Sequence, residues 1–134
     1  MDAPVVAVSN DGTKVGAAWM DTRAGAGNRD VQWTLGQRGT FAAEKRANDD
    51  GDGQQGHPSL AFDGKDTLWC AWEDARAGAD RQRIYAADFR TRQNVQISAD
   101  VEGKCAFPSL GASGDVLGVA YETPTGISFR AVGR

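Results

Sequence analysis

The sequence lacks the residues on which several kinds of site depend. It has one histidine, His57, and only two cysteines, Cys70 and Cys105, which are too far apart for a Cys-x-x-Cys redox or zinc motif. With no second histidine near His57, a transition-metal site or a Ser-His-Asp triad would depend on this one imidazole. Cys70 aligns with apolar residues of the other repeats described below, so we expect it to be a small buried residue. A disulfide with Cys105 stays an alternative.

Long apolar runs and an excess of basic charge are also missing. No apolar run is long enough to span a membrane. Met1 is followed by Asp2-Ala3-Pro4, without the basic and apolar leader of a signal peptide. The net charge of −3, from 15 basic and 18 acidic residues, gives no general attraction to nucleic acid or anionic lipid. We therefore expect neither as a partner. The compartment stays open, and export to the periplasm is one alternative.

What the sequence does contain is an internal repeat. The line Trp-x-Asp-x-Arg-Ala-Gly-Ala occurs at 19–26 and again at 72–79. A proline-led apolar segment opens each of three copies, and the three prolines are 54 and then 50 residues apart. A unit that recurs at this spacing cannot bury its apolar face alone and must stack on its copies. The sequence predicts three units, at 1–57, 58–107 and 108–134.

Each unit has the pattern of a small antiparallel sheet. After the proline segment comes a turn rich in Asp and Gly, and then a second apolar run that ends in an aromatic residue, Trp19, Trp72 or Tyr121. A third extended segment follows, and a weaker fourth, near 41–46 and 94–98, closes only the first two units. Four short antiparallel strands in about 50 residues are typical of a β-propeller blade. The predicted fold is therefore all-β, with an incomplete third blade.

Three blades do not close a ring, because closed propellers have at least four. Two copies related by a two-fold axis would supply six blades, and identical subunits usually remove exposed surfaces by such cyclic closure. We therefore expect a homodimer that forms a six-bladed ring, with its pocket on the two-fold axis. A fragment of a larger propeller protein is the alternative.

The loops after the second strands hold the residues that we expect to bind a ligand. These are Asp21, Arg23, Asp74 and Arg76, together with His57 in a loop near the mouth of the axis. Arginine forks present donors to a carboxylate, sulfate or sugar. The structural alternative is that Asp caps its own turn and Arg pairs with it. Recurrence of the motif favours this alternative, since a catalytic group is usually needed only once.

A weak calcium site is a further candidate. The line Asn48-x-Asp50-x-Asp52-Gly53 matches the opening of a calcium loop, in which alternate oxygen side chains converge on one ion. The twelfth position is Ser59, so the bidentate glutamate of such loops is missing. A solvated polar loop is the alternative, and no other cofactor is predicted.

The unit pattern resembles the sialidase-like, or BNR-repeat, superfamily of six-bladed propellers. The resemblance depends on the proline-led first strands, the Asp-Gly turn, the Trp-x-Asp-x-Arg ending and a third strand such as Ile84-Tyr85-Ala86-Ala87. It implies six blades around one axis. The turns at 36–39 and 90–93 lack the Ser-x-Asp-x-Gly-x-Thr-Trp box, and no Arg-Ile-Pro motif occurs. Sialidase activity is therefore not expected.

Two functions of different classes fit these residues. The first is a non-catalytic propeller module that binds a glycan or another polar ligand on the face bearing the Trp-x-Asp-x-Arg loops. The second is a glycosidase-like hydrolase in which two carboxylates, among Asp21, Asp50, Asp74 and Asp100, face each other near the axis. Near-identical loops give their acids equivalent environments, whereas hydrolysis needs two carboxylates with different pKa values. The repeat therefore favours the binding module.

Overall fold

A computed structural model of the chain describes residues 2–37, 39–49 and 51–133. In these residues the protein is all-β, with twelve strands in three antiparallel sheets and a single 3₁₀ turn at Ala79–Arg81. No helix in the described ranges has the length and apolarity needed to cross a membrane. The predicted all-β class is confirmed.

Apart from β5, each sheet is a meander, in which strands adjacent in sequence pair with each other. Sheet 1 contains β1 (Asp2–Val8), β2 (Val15–Asp21), β3 (Asp30–Gln37), β4 (Thr40–Phe41) and β5 (Lys45–Arg46). Sheet 2 contains β6 (Gln55–Phe62), β7 (Leu68–Asp74), β8 (Arg83–Asp88) and β9 (Val95–Gln96). Sheet 3 contains β10 (Ala106–Ser113), β11 (Val116–Thr123) and β12 (Gly126–Gly133). The weak fourth segment of the first repeat is split into β4 and β5, which both pair with β3.

The three sheets stack in chain order around their first strands, since β6 contacts both β1 and β10. One apolar core lies between sheets 1 and 2 and includes Trp33, Leu68 and Trp72. A second core lies between sheets 2 and 3 and includes Ile84 and Val119. Sheet 2 is therefore covered on both faces, and every residue of β7 is buried.

The stacking follows one rule. We call the face of a sheet that carries its second-strand aromatic residue the leading face, and the opposite face the trailing face. Trp72 of sheet 2 packs against sheet 1, and Tyr121 of sheet 3 packs against sheet 2. Each leading face thus covers the trailing face of the preceding sheet. In the single chain this leaves the leading face of sheet 1 and the trailing face of sheet 3 open.

The residue before each proline interrupts the pairing of the first and second strands. Ala3, His57 and Phe107 have φ angles of 49°, 47° and 51°, in the left-handed region, and each lies at a shift of register. Left-handed backbone is unusual for these residue types, and its recurrence marks a shared bulge. The predicted loop position of His57 is wrong, because the bulge keeps it within strand β6.

Both cysteines are free and buried. Cys70 lies in the core between sheets 1 and 2, and Cys105 in the core between sheets 2 and 3. Burial raises the pKa of the Cys70 thiol above its ordinary value. The prediction that Cys70 is a small buried apolar residue is confirmed, and the disulfide alternative is not what the structure contains.

Candidate functional site

The aspartate of each repeated motif binds the other members of its own motif. Asp74 is fully buried at the end of β7, where its Oδ1 accepts the backbone N–H of Arg76 at 2.9 Å and the Nε–H at 3.0 Å. Its Oδ2 accepts Trp72 Nε1 and Arg76 Nη2, both at 2.8 Å. Gln55 donates a further, longer hydrogen bond at 3.3 Å. Every lone pair of this carboxylate is therefore directed at a protein donor.

Sheet 1 repeats the arrangement with a buried Asp21 and a half-exposed Arg23. Asp21 accepts the backbone N–H and the Nε–H of Arg23 at 2.9 Å, and Trp19 Nε1 at 3.2 Å. The side-chain hydrogen bond from Arg23 holds the pKa of Asp21 down to about 2, against the opposing effect of burial. Asp21 therefore stays ionised at any ordinary pH. The structural alternative for this motif agrees with the geometry in both sheets.

The two arginines differ in how much of the guanidinium group is bound by other residues. All three guanidinium nitrogens of Arg76 donate, since Nη1 binds Asp49 at 2.8 Å and Nη2 also binds Asn94 at 2.9 Å. The guanidinium lies over the ring of Tyr85, 4.0 Å from its centroid, and the side chain is 16% exposed. The side chain of Arg23 is 51% exposed, binds Glu44 at 2.6 Å, and has no partner for Nη1 in the described part of the chain.

A cleft of about 830 Å³ lies at the motif end of sheet 2. Asp74 and Arg76, which the sequence predicted to bind a ligand, line it, whereas Asp21 and Arg23 do not. The exposed polar side chains around the cleft are those of Asp80, Arg81, Gln96, Asp100 and Glu102. Tyr85 forms an aromatic wall, and burial raises the pKa of its hydroxyl.

One side of the cleft is held by Arg83, which the sequence did not single out. Its side chain is only 6% exposed and donates to the carbonyl groups of Gln82, Val101 and Gly103. Asp100 beside it accepts Gln96 Nε2 at 2.9 Å and Arg83 Nε at 3.4 Å, and these two contacts lower the pKa of Asp100. Arg83 lies opposite Asp74 across strands β7 and β8, whereas the position opposite Asp21 in sheet 1 holds Asp30. An arginine in place of an acid is the sequence signal that could have identified Arg83.

His57 does not line this cleft. Its Nδ1 lies 2.7 Å from Oε1 of Glu73, and its ring packs 5.0 Å from that of Phe107. The second oxygen of Glu73 accepts the backbone N–H of Phe107 at 2.8 Å. The side chain of His57 is 44% exposed and that of Glu73 only 9%. The five residues predicted to bind a ligand are therefore spread over the ends of two sheets and a first-strand bulge.

The candidate calcium residues have other partners. Asn48 is buried, and its amide oxygen accepts the N–H of Val31 at 2.9 Å while its nitrogen donates to Asp30. Asp50 lies outside the described residues, and Asp52 is exposed. Within the described ranges no three His, Cys, Asp or Glu side chains form a group that could hold a metal ion. Calcium binding stays a prediction that the position of Asn48 does not favour.

No protein-family model matches the chain, and no curated protein sequence matches it. The resemblance to sialidase-like propellers therefore stays a prediction.

Proposed function

We propose that the chain is a non-catalytic β-propeller module that forms a six-bladed ring as a homodimer and binds a hydroxyl-rich ligand, such as a glycan, at the cleft of sheet 2. The main support for this proposal is the regular stacking of the three sheets. Each meander sheet covers the sheet before it through equivalent residues, as consecutive propeller blades do. In the ring that we propose, the same contact repeats six times around the two-fold axis.

The two open faces at the ends of the stack explain why copies of the chain would associate. Val6 and Val8 on the leading face of sheet 1 are 68% and 58% exposed, and Ile127 and Phe129 on the trailing face of sheet 3 are 74% and 68% exposed. Contiguous apolar surface of this kind marks an interface, since single exposed apolar residues are common but clusters are not. Burial of such side chains stabilises an assembly by about 25 cal/mol per Å² of apolar area.

The cleft supports the ligand class. Glycans present hydroxyl groups that both donate and accept, and their apolar faces pack on aromatic rings. The carboxylates of Asp80, Asp100 and Glu102 accept such donors, Arg81 donates, and Tyr85 lines the cleft with the Arg76 guanidinium stacked on its ring. A small number of convergent polar groups around a partly apolar cleft is the usual arrangement of a binding site.

The hydrolase alternative is less well supported. A glycosidase needs one carboxyl group whose pKa is raised so that it can act as the acid. The pKa values of Asp21 and Asp100 are lowered by their donors, and all the lone pairs of Asp74 are occupied by protein donors. None of these three carboxylates has the environment of a general acid.

Glycan binding is tested on an array with the purified protein. We expect Glu102→Ala to weaken binding of any glycan found by at least about tenfold, which corresponds to about 1.4 kcal/mol. Asp115→Ala, which removes an exposed acid from the hairpin of sheet 3, serves as the matched control. Release of chromophore from a panel of aryl glycosides would contradict the non-catalytic assignment. A full array without a binder would contradict the ligand class.

Assembly is tested separately by analytical ultracentrifugation. The proposal predicts a species of about twice the 14.2 kDa of one chain at micromolar concentration. A folded monomer under these conditions would contradict it.

A further inference from the structure

We infer that the trailing face of sheet 3 binds the leading face of sheet 1 of a second copy, through the hydrogen bonds that join sheets 2 and 3 within the chain. This inference depends on the proposed homodimer and names the surface that forms it.

Two side-chain hydrogen bonds join the strands of sheets 2 and 3, and a backbone hydrogen bond from Gly64 N–H to the Gly114 carbonyl at 2.6 Å joins their hairpins. Glu73 Oε2 accepts the backbone N–H of Phe107 at 2.8 Å, and Ser59 Oγ accepts the backbone N–H of Leu110 at 3.0 Å. Both donors lie on β10, the first strand of sheet 3, where the bulge and the strand edge leave these groups unpaired by β11. A buried backbone donor without a partner is costly, so these two side chains fix the position of sheet 3 on sheet 2.

The same two acceptors recur on sheet 3. Ser109 follows its proline as Ser59 does, and Glu122 follows Tyr121 as Glu73 follows Trp72. Both lie on the open trailing face, where they are exposed and make no side-chain hydrogen bond within the described ranges. In sheet 1 the equivalent positions hold Val5 and Met20, which accept no hydrogen bond. Sheet 3 therefore carries the same acceptor groups with which sheet 2 binds sheet 3.

The matching donors lie on the open face of sheet 1. Ala3 and Val6 are the equivalents of Phe107 and Leu110, because both pairs hold the same places relative to the first-strand proline. Ala3 has a φ of 49°, close to the 51° of Phe107, so its N–H follows the same backbone path. In the single chain this N–H donates to the exposed carboxylate of Asp2 at 2.8 Å. In the dimer, Glu122 of the second copy would accept this N–H in place of Asp2.

The apolar shapes also match. A shallow groove of about 490 Å³ crosses the open face of sheet 3, lined by small residues such as Gly118 and Ala120 and bounded by Phe129. Within the chain, the equivalent Gly16 of sheet 1 is covered by Leu68, whose side chain leaves no room there for a Cβ atom. Val15 occupies the place of Leu68 on the open face of sheet 1. Over Gly118 itself lies the ring of Phe129, within 3.1 Å of where a Cβ atom would stand, so Val15 of a second copy would pack in the groove beside this ring.

A second copy is the occupant that these observations identify. Both complementary faces belong to one chain, at opposite ends of its stack, so each pair of copies offers two identical contacts. Such a contact between different faces gives a closed ring when the rotation per sheet completes a turn, and an open chain of copies when it does not.

Cysteine cross-linking tests the pairing of faces directly. The 3.0 Å bond between Ser59 Oγ and Leu110 N keeps the two Cα atoms within about 7 Å, the limit for a disulfide. The equivalent pair between copies is Ser109 and Val6. We expect the double variant S109C V6C to give a covalent dimer on a non-reducing gel after mild oxidation, while each single variant stays monomeric on the gel. The pair S59C L110C, which joins positions of one chain, is the matched control and adds no mass.

The outcomes separate this inference from the proposed homodimer. A dimer in solution that does not cross-link in the double variant, or that cross-links through one introduced cysteine alone, overturns the pairing of faces while the homodimer stands. A monomer overturns both. A ladder of longer covalent chains supports the pairing of faces and contradicts the six-bladed ring. As a second measurement, Ser109→Ala with Glu122→Ala should weaken dimerisation at least about tenfold, and Asp115→Ala should leave it unchanged.

Discussion

Arg76 closes a ring of hydrogen bonds around Asp74, which lies two residues before it in the chain. The carboxylate receives the backbone N–H, Nε and Nη2 of the arginine, and the remaining nitrogen, Nη1, binds Asp49 across the loop. Because Asp74 is fully buried, removal of the arginine would leave an unpaired charge in the interior. The Trp-x-Asp-x-Arg motif in this sheet is thus first a structural device.

Arg76→Ala should therefore destabilise the protein more than Arg23→Ala. We expect a loss of about 2 kcal/mol for Arg76→Ala, since it breaks a buried pair and a contact with Tyr85. Asp21 is nearly as buried as Asp74, but the loss for Arg23→Ala should be smaller, because half of the Arg23 side chain is exposed and water can take the place of its donors. Urea unfolding followed by tryptophan fluorescence measures both. An equal loss in the two variants would contradict this account.

Asp21 should make stability depend on pH in the acid range. Its pKa in the folded protein, about 2, lies below the ordinary value of 3.8. The stability that it contributes is therefore complete above about pH 4 and is lost as the pH falls towards 2. We expect Asp21→Asn to be less stable than wild type at pH 6 and to approach it at pH 2. A constant difference between pH 6 and pH 2 would show that Asp21 does not titrate as described.

Glu73→Ala should cost about 2 kcal/mol, because the backbone N–H of Phe107 and the ring of His57 both lose their acceptor. Glu122→Ala removes the equivalent residue from an exposed face, so in the absence of dimers it should leave the free energy of unfolding unchanged. Unfolding measured at high dilution compares the two. Equal losses would indicate that Glu122 already has a partner within its own chain.

Phe129→Asp should abolish the homodimer and leave the monomer folded. The ring is 68% exposed in the single chain, while its equivalents Trp33 and Ala86 are fully buried between sheets. A charge placed there would be buried without a partner at the contact, and each dimer would carry the substitution twice. We expect dimer affinity to fall at least about a hundredfold, or about 2.7 kcal/mol, by sedimentation. Phe41→Asp, at a ring that is 47% exposed on another strand, should change nothing.

The two thiols should be inert until the protein unfolds. Cys70 and Cys105 are 0% and 1% exposed, and burial raises the pKa of Cys70, so little thiolate is present to react. A chromogenic disulfide reagent should label no more than a trace at neutral pH in buffer and two thiols per chain in denaturant. Rapid labelling of the native protein would contradict the packing of both cores.

Much of the fold could be predicted because the repeat aligns three sets of positions. Strands could be assigned from the turns and aromatic residues at matching places, and the burial of Cys70 followed from its apolar equivalents. His57 could not be placed correctly. The sequence predicted a loop up to Pro58, whereas the bulge before this proline keeps His57 inside strand β6. Register shifts of this kind depend on backbone geometry, which residue types alone do not specify.

The candidate site was less predictable than the fold. Asp74, Arg76 and Asp100 could be identified as candidates from the sequence, but Arg83, which holds the carbonyl groups of Val101 and Gly103, could not, because its segment differs between the repeats. The sequence by itself determined the repeating unit, its strands and its aromatic positions, since local alternation and turn chemistry act over a few residues. Tertiary structure alone decided which faces are covered and which donors Glu73 and Ser59 meet, because the stacking of sheets joins groups more than 30 residues apart.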